Sequence, residues 1–215
     1  MLGLGFVKAF LVRGAEKHVL VDSGTAGNSM KIVAQLECGG VNPLDIWLIV
    51  VTHAHADHTG SLADVVQATG AKVAVHRLEA EHVRTGMPPP AAESRLSRIM
   101  FRPSTKPRAV CVEPDILVDD ELDLRPYGVA GKAIWTPGHT RGSVSVFLES
   151  GEAIVGDLVL PRYMAFGPPA IAFWAASRED SIASIRKVLD LRPSIILTSH
   201  GGPYRPEVLA KLVRC

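Results

Sequence analysis

Cysteine is scarce in this chain. Cys38, Cys111 and Cys215 are scattered through 215 residues with no close pair. That excludes a disulfide-stapled secreted scaffold, and an odd count of separated thiols points to a reducing, cytoplasmic setting. The three read as small apolar fillers or a tail residue rather than as nucleophiles. An excess of charge of one sign is also missing. Lys and Arg number 23 against 22 Asp and Glu, a net charge of +1. The molecule as a whole therefore offers no field for nucleic acid or an anionic membrane surface. No apolar run approaches the ~20 residues that span a bilayer. The apolar start, residues 1–7, is interrupted by Lys8 and lacks a convincing small-residue cleavage site, so no signal peptide is expected. What the chain does have is 47% hydrophobic residues, enough at this length to bury a substantial core. A single domain over 1–215 is the expectation.

The most informative stretch is 52–60, Thr-His-Ala-His-Ala-Asp-His-Thr-Gly. His53, His55, Asp57 and His58 place four metal-binding side chains within six residues. Imidazole suits zinc, iron and similar divalent ions, and carboxylate adds a hard anionic ligand. The run follows an apolar stretch, Ile46 to Val51, that reads as a buried strand. Alternate side chains of an extended segment share a face, so His53 and His55 could grip one ion together. Asp57 and His58 are adjacent and turn more naturally toward a second ion. Four residues cannot fill two sites, so further ligands must come from elsewhere. His139, Asp157 and His200 are the candidates. Each sits at the end of a predicted strand and beside glycine or turn residues, as expected if several strands deliver ligands to one sheet edge.

This set of motifs resembles the metallo-β-lactamase superfamily in its general hydrolase form. The resemblance runs from Asp22-Ser-Gly through His53-x-His55-x-Asp57-His58. It continues with Thr136-Pro-Gly-His139, Gly156-Asp157 and Ser199-His200-Gly201, covering nearly the whole chain. It implies an α/β fold, the four-layer αβ/βα sandwich, with metals at the edge between two sheets. It implies that His53, His55 and His139 hold a first metal, that Asp57, His58 and His200 hold a second, and that Asp157 bridges them. Asp22 is implied as a brace for the ligand loop, although Asp-Ser-Gly is also ordinary turn chemistry. His18, His76 and His82 are read as ordinary core or surface residues.

The function so implied is a dinuclear metal-dependent hydrolase using a metal-bridging hydroxide on an ester, thioester or lactone. The cofactors are two divalent ions, zinc first, with iron or manganese as alternatives. Asp157 partly neutralises the two ions, and Asp57 could orient the water. The carboxylate at 157 argues against a dedicated β-lactamase. The resemblance implies a glyoxalase II-like metal site, and that family's helical C-terminal domain is not expected. A persulfide dioxygenase, an oxidoreductase with one iron, shares these positions and is the alternative reading. A phosphodiesterase or RNA-processing relative ranks below it. The expected partner is a small-molecule substrate that could be anionic; a homodimer is a further option, and no membrane or nucleic-acid partner is expected.

Regular elements are predicted as a hairpin at Lys8 to Arg13 and His18 to Asp22, a helix from Asn28 to Cys38, and a helix from Ser61 to Thr69. Strands are predicted at 72–76, 132–135, 143–148, 153–157 and 195–199. Ser177 to Asp180 reads as a capping box that opens a helix striped by Ile182, Ile185, Val188, Leu189 and Leu191. Pro206 suits the first turn of a last helix. Two irregular segments are expected near the site. Residues 84–110 read as a lid or wall, with a helix at 91–101. Arg84, Arg95, Arg98, Arg102, Lys106 and Arg108 there could bind an anionic tail or form a solvated basic face. Residues 161–176 could line an acyl pocket or a dimer contact, with core packing as the competing reading for Phe173 and Trp174.

Overall fold

The structure, a computed structural model, describes residues 1–89, 111–163 and 166–213. Among these residues the strands form a six-stranded sheet in the order β1-β2-β3-β4-β5-β6 and a five-stranded sheet in the order β13-β10-β9-β8-β7. The first comprises β1 (Leu2–Gly3), β2 (Lys8–Arg13), β3 (His18–Val21), β4 (Ile46–Val50), β5 (Lys72–His76) and β6 (Ile116–Val118). The second comprises β7 (Glu121–Asp123), β8 (Gly131–Trp135), β9 (Val144–Leu148), β10 (Glu152–Ile154) and β13 (Ile195–Leu197). Between β10 and β13 a two-stranded ribbon joins β11 (Leu160–Pro161) to β12 (Pro169–Ala170).

Side-chain alternation divides the core into layers. Leu48 and Val50 of β4 face the second sheet and pack with Ala133, Val144, Val146 and Ile154. Ile49 and Val51 point the other way, into a cluster with Ile32 and Leu36 of helix α1 (Ser29–Cys38) and Leu62 and Val65 of α3 (Leu62–Thr69). A strand covered on both faces is apolar along most of its length, which explains the run at 46–51. Trp47 is the exposed exception, with the Lys17 ammonium 3.4 Å from its ring centroid. On the far side Ile185 and Val188 of the helix Arg178–Asp190, and Leu209 of the helix Pro206–Ala210, cover the second sheet through Ala153, Val155 and Ile196. The result is helix, sheet, sheet, helix: the αβ/βα sandwich.

Strand direction positions the site. β3, β4, β5 and β6 are parallel neighbours. β8 and β10 are both antiparallel to β9, and β10 is parallel to β13, so β8, β10 and β13 share one sense. The loops after β3, β4 and β5, and those after β8, β10 and β13, meet at one end of the sandwich. There Val144 N–H donates to the Thr52 carbonyl at 2.9 Å, joining the two sheets.

The predicted hairpin, the strand at 72–76 and the principal helices lie where the sequence indicates, and the Ser177 hydroxyl accepts from Asp180 N–H at 3.1 Å as a cap. Two strands are shorter than predicted. β10 stops at Ile154 because Gly156 turns the chain with φ +53°, and β13 stops at Leu197. Asp157 and His200 therefore stand on turns just beyond the strands. A short helix, α2 (Ala56–Thr59), carries Asp57 and His58 and was not predicted. α4 (Ala80–Thr85) lies at the start of the 84–110 segment. The predicted helix at 91–101, with Arg95, Arg98, Arg102, Lys106 and Arg108, lies outside the described residues. Arg84 is described and bonds Glu113 at 2.8 Å, so its charge is already paired. Phe173 is exposed, which corrects the core-packing reading of that ring.

Candidate metal centre

Asp22 and Ser23 hold the loop after β4. Asp22, the first residue after β3, is fully buried and adopts φ +63°. That left-handed conformation is tolerated by Asp more readily than by most residues. It aims the carboxylate back along the β4 loop. One oxygen accepts from Thr52 N–H at 2.7 Å; the other accepts from the Thr52 hydroxyl at 2.8 Å and faces His58 Nδ1 at 2.7 Å. Ser23 reinforces this, since its N–H and hydroxyl both donate to the His58 carbonyl at 2.8 Å.

These contacts set tautomers. The Thr52 hydroxyl donates to Asp22, so it is free to accept from His53 Nδ1–H at 3.1 Å. His58 Nδ1–H donates to Asp22, and His200 Nδ1 faces the Phe6 carbonyl at 2.9 Å. In the neutral form of each ring Nε2 keeps the lone pair, the form that binds metal. His139 is the exception, because its buried Nδ1 has no partner among the described residues.

The free nitrogens converge. His55 Nδ1 lies 2.9 Å from His53 Nε2 and 3.0 Å from His139 Nε2. Tetrahedral zinc with bonds of ~2.05 Å separates its ligands by roughly 3.3 Å, so this trio is close to a zinc-sized cradle. A second group gathers beside it: His200 Nε2 is 3.1 Å, and His58 Nε2 3.8 Å, from the Asp57 carboxylate. Asp157 lies between the groups, 3.6 Å from His58, His139 and His200. His58 Nε2 and an Asp157 oxygen are buried with no hydrogen-bond partner among the described residues, a costly arrangement that a cation would relieve. Clusters of His53, His55 and His139, of His53, His58 and Asp157, and of Asp57, His58 and His200 could each hold a metal ion. All seven predicted ligands are thus brought together, with Asp22 behind His58.

The electrostatics follow from burial and charge. Burial, then the neighbouring imidazoles, push His53 far below the ordinary histidine value. Burial and His139 bring His55 down to about 4, and burial lowers His139 as well. For His58 burial acts downward, but the carboxylates of Asp157 and Asp22 outweigh it and raise the ring well above its ordinary value. His200 is raised too, since its bond to Asp57 overcomes burial. Burial opposes ionisation of Asp57, yet His200 and His58 hold its carboxyl well below the usual range. Asp157 is held at about 2, with burial opposed by His58 and the other histidines.

Close approach requires glycine at several points. A Cβ on Gly138, which has φ +142°, would fall 2.3 Å from Ser181 Oγ at the start of the helix Arg178–Asp190. A Cβ on Gly156 would meet Thr52 Oγ1 at 2.9 Å. These contacts seat the His139 and Asp157 turns against their neighbours.

A family model described as the metallo-beta-lactamase superfamily matches residues 2–200. The chain belongs to the metallo-β-lactamase superfamily. Within it, the chain is 26% identical over 212 residues to the probable metallo-hydrolase YflN of Bacillus subtilis, covering 90% of this chain and 80% of that one. A metallo-β-lactamase with a HARLDQ motif from Cronobacter sakazakii superposes with a TM-score of 0.65 at 26% identity, over 91% of this chain and 72% of that one. The family protein TTHA1429 of Thermus thermophilus shares the fold at a TM-score of 0.68 and 23% identity, over 96% of this chain and 73% of that one.

Sequence reasoning missed two residues of this metallo-β-lactamase-fold centre. Thr52 opens the ligand run, but its link to both Asp22 and His53 shows only in three dimensions. Glu79, just beyond β5, is buried and bonds two loops of the centre. Tyr204 packs with the outer helices, and its hydroxyl donates to the Gly167 carbonyl at 3.4 Å. No helix among the described residues is long and apolar enough to cross a membrane.

Proposed function

We propose that this chain is a metal-dependent hydrolase whose centre takes two divalent ions, zinc first, and cleaves a small ester, thioester or lactone. The position of Asp157 carries the reading. Its carboxylate stands 3.6 Å from His139 in one donor group and 3.6 Å from His58 and His200 in the other. A carboxylate shared between two sets of imidazoles is donor chemistry suited to a pair of zinc-like ions. His53, His55 and His139 would hold one ion, Asp57, His58 and His200 the other, with Asp157 common to both. Bound there, such ions polarise a carbonyl and bring the pKa of water toward neutrality.

The remaining work belongs to the chain. Thr52, Asp22 and the Phe6 carbonyl keep three imidazoles in the binding tautomer. Asp57, less buried than the other carboxylates of the centre, can accept a hydrogen bond from an attacking water and orient it. Phe6 is 68% exposed and stacks on His200 at 5.7 Å, offering an apolar edge for an acyl group. The name of the Bacillus subtilis relative supports the hydrolase class.

Elemental analysis of wild type and His200→Ala tests this. Roughly two divalent ions per chain are expected, with a substantial loss in the variant. Hydrolysis of at least one class in an ester, thioester and lactone panel should fall with it. A single iron indifferent to His200, with oxygen consumed, would overturn the reading in favour of oxidative sulfur chemistry.

A further inference from the structure

We propose that Glu79 is a positioning residue for the three-histidine group, fixing the spacing between the His53–His55 pair and His139. The inference rests on reading that group as a metal site.

Glu79 follows β5 in a 3₁₀ turn, Arg77–Glu79, whose first N–H groups are organised by His76; His76 Nδ1 accepts from Leu78 N–H at 3.2 Å. The side chain is 1% exposed. No ion pair reaches it from the described residues within 4.0 Å, so its charge must be met otherwise. Two backbone donors meet it. Ala54 N–H, between His53 and His55, donates to one oxygen at 3.0 Å. Gly142 N–H, in the turn that carries His139, donates to the other at 3.1 Å. One carboxylate therefore spans a loop of the first sheet and a loop of the second. His139 needs such a tether, since its own Nδ1 has no partner among the described residues. The approach is tight: a Cβ on Gly142 would lie 2.5 Å from Glu79 Cγ.

A carboxylate is the group this bridge requires. It presents acceptors on both oxygens, whereas glutamine presents one acceptor and turns an N–H₂ against the second donor. Aspartate keeps the charge but is one methylene too short to reach both loops. Charge alone is thus not sufficient, and neither is length alone.

The test measures zinc affinity by chelator competition and records the visible spectrum of the cobalt-substituted protein. Wild type is compared with Glu79→Gln, Gly142→Ala and Ile185→Val. The last trims the core of the opposite outer layer and controls for a general loss of stability. Glu79→Gln should weaken one ion about 10–100-fold, the usual cost of losing support behind a ligand set. The weakened ion should be the one that His200→Ala leaves in place, and its cobalt bands should shift. Gly142→Ala should reproduce both effects, which keeps the test open if Glu79→Gln folds poorly. Ile185→Val should leave affinity and spectrum unchanged. Wild-type affinities and spectra in both Glu79→Gln and Gly142→Ala would overturn this inference alone. A wild type that takes up no ion would instead overturn the metal reading beneath it.

Discussion

The Asp22 carboxylate lies 2.7 Å from His58 Nδ1, and both side chains are wholly buried. The contact forces the His58 proton onto Nδ1 and presents Nε2 to the centre. In Asp22→Asn an N–H₂ group must oppose either Thr52 N–H or the His58 ring. Asparagine tolerates the left-handed backbone at this position, so the fold should persist. Affinity for the ion beside Asp57 and His200 should fall about 10–100-fold. Chelator competition on the purified variant reads this directly, and an unchanged affinity would remove Asp22 from the centre.

Acid should empty the centre in a fixed order. His58 and His200 have raised pKa values, so protons compete for them from a higher pH than for the other rings. His55, at about 4, and His53 stay neutral further into acid. The ion at Asp57, His58 and His200 should therefore leave first as pH falls, and the three-histidine ion later. Metal content after dialysis at stepped pH checks the order. The metal-free protein should behave oppositely on the alkaline side. A histidine raised in the folded state stabilises most below its unfolded value of about 6.5 and loses that contribution as pH rises through the folded value. The Tm of metal-free protein should decline as pH climbs past neutrality, while the loaded protein gains over the same range.

Gly138 is the conformational pivot of the His139 turn. Alanine there meets Ser181 Oγ at 2.3 Å and the Ser181 backbone at 2.5 Å, at a φ of +142° that side chains avoid. Gly138→Ala should cost about 1–3 kcal/mol, as overpacking commonly does. Because the displaced turn carries His139, a proposed ligand, zinc should rescue its Tm less than it raises the wild-type Tm. Thermal melts with and without zinc give the comparison; equal zinc shifts would show that His139 had not moved.

The ligand run was legible because its four donors are neighbours in sequence, at the end of a strand buried on both faces. His139, Asp157 and His200 could be matched to it because each stands close to the end of an apolar strand. The ends of β10 and β13 were misjudged, since Val155 and Thr198 continue an extended-looking composition after pairing has stopped. Gly156 makes the turn, and composition does not reveal its φ. Glu79 was illegible for a different reason. Nothing local distinguishes it from a solvated glutamate; its meaning lies in Ala54 and Gly142, which are 25 and 63 residues away. The short strands β1, β6 and β7 gain their regularity from partners, and so carry weak patterns of their own.

The donors at 53–58 come from the first sheet, whereas His139, Asp157 and His200 come from the second. During synthesis the early donors emerge long before the late ones, and they hold incomplete sets until the second sheet docks. An ion gripped firmly by this protein is therefore a late acquisition. Held by the full proposed set, it would act as a clasp across the two halves, gripped only once they have met in the correct register.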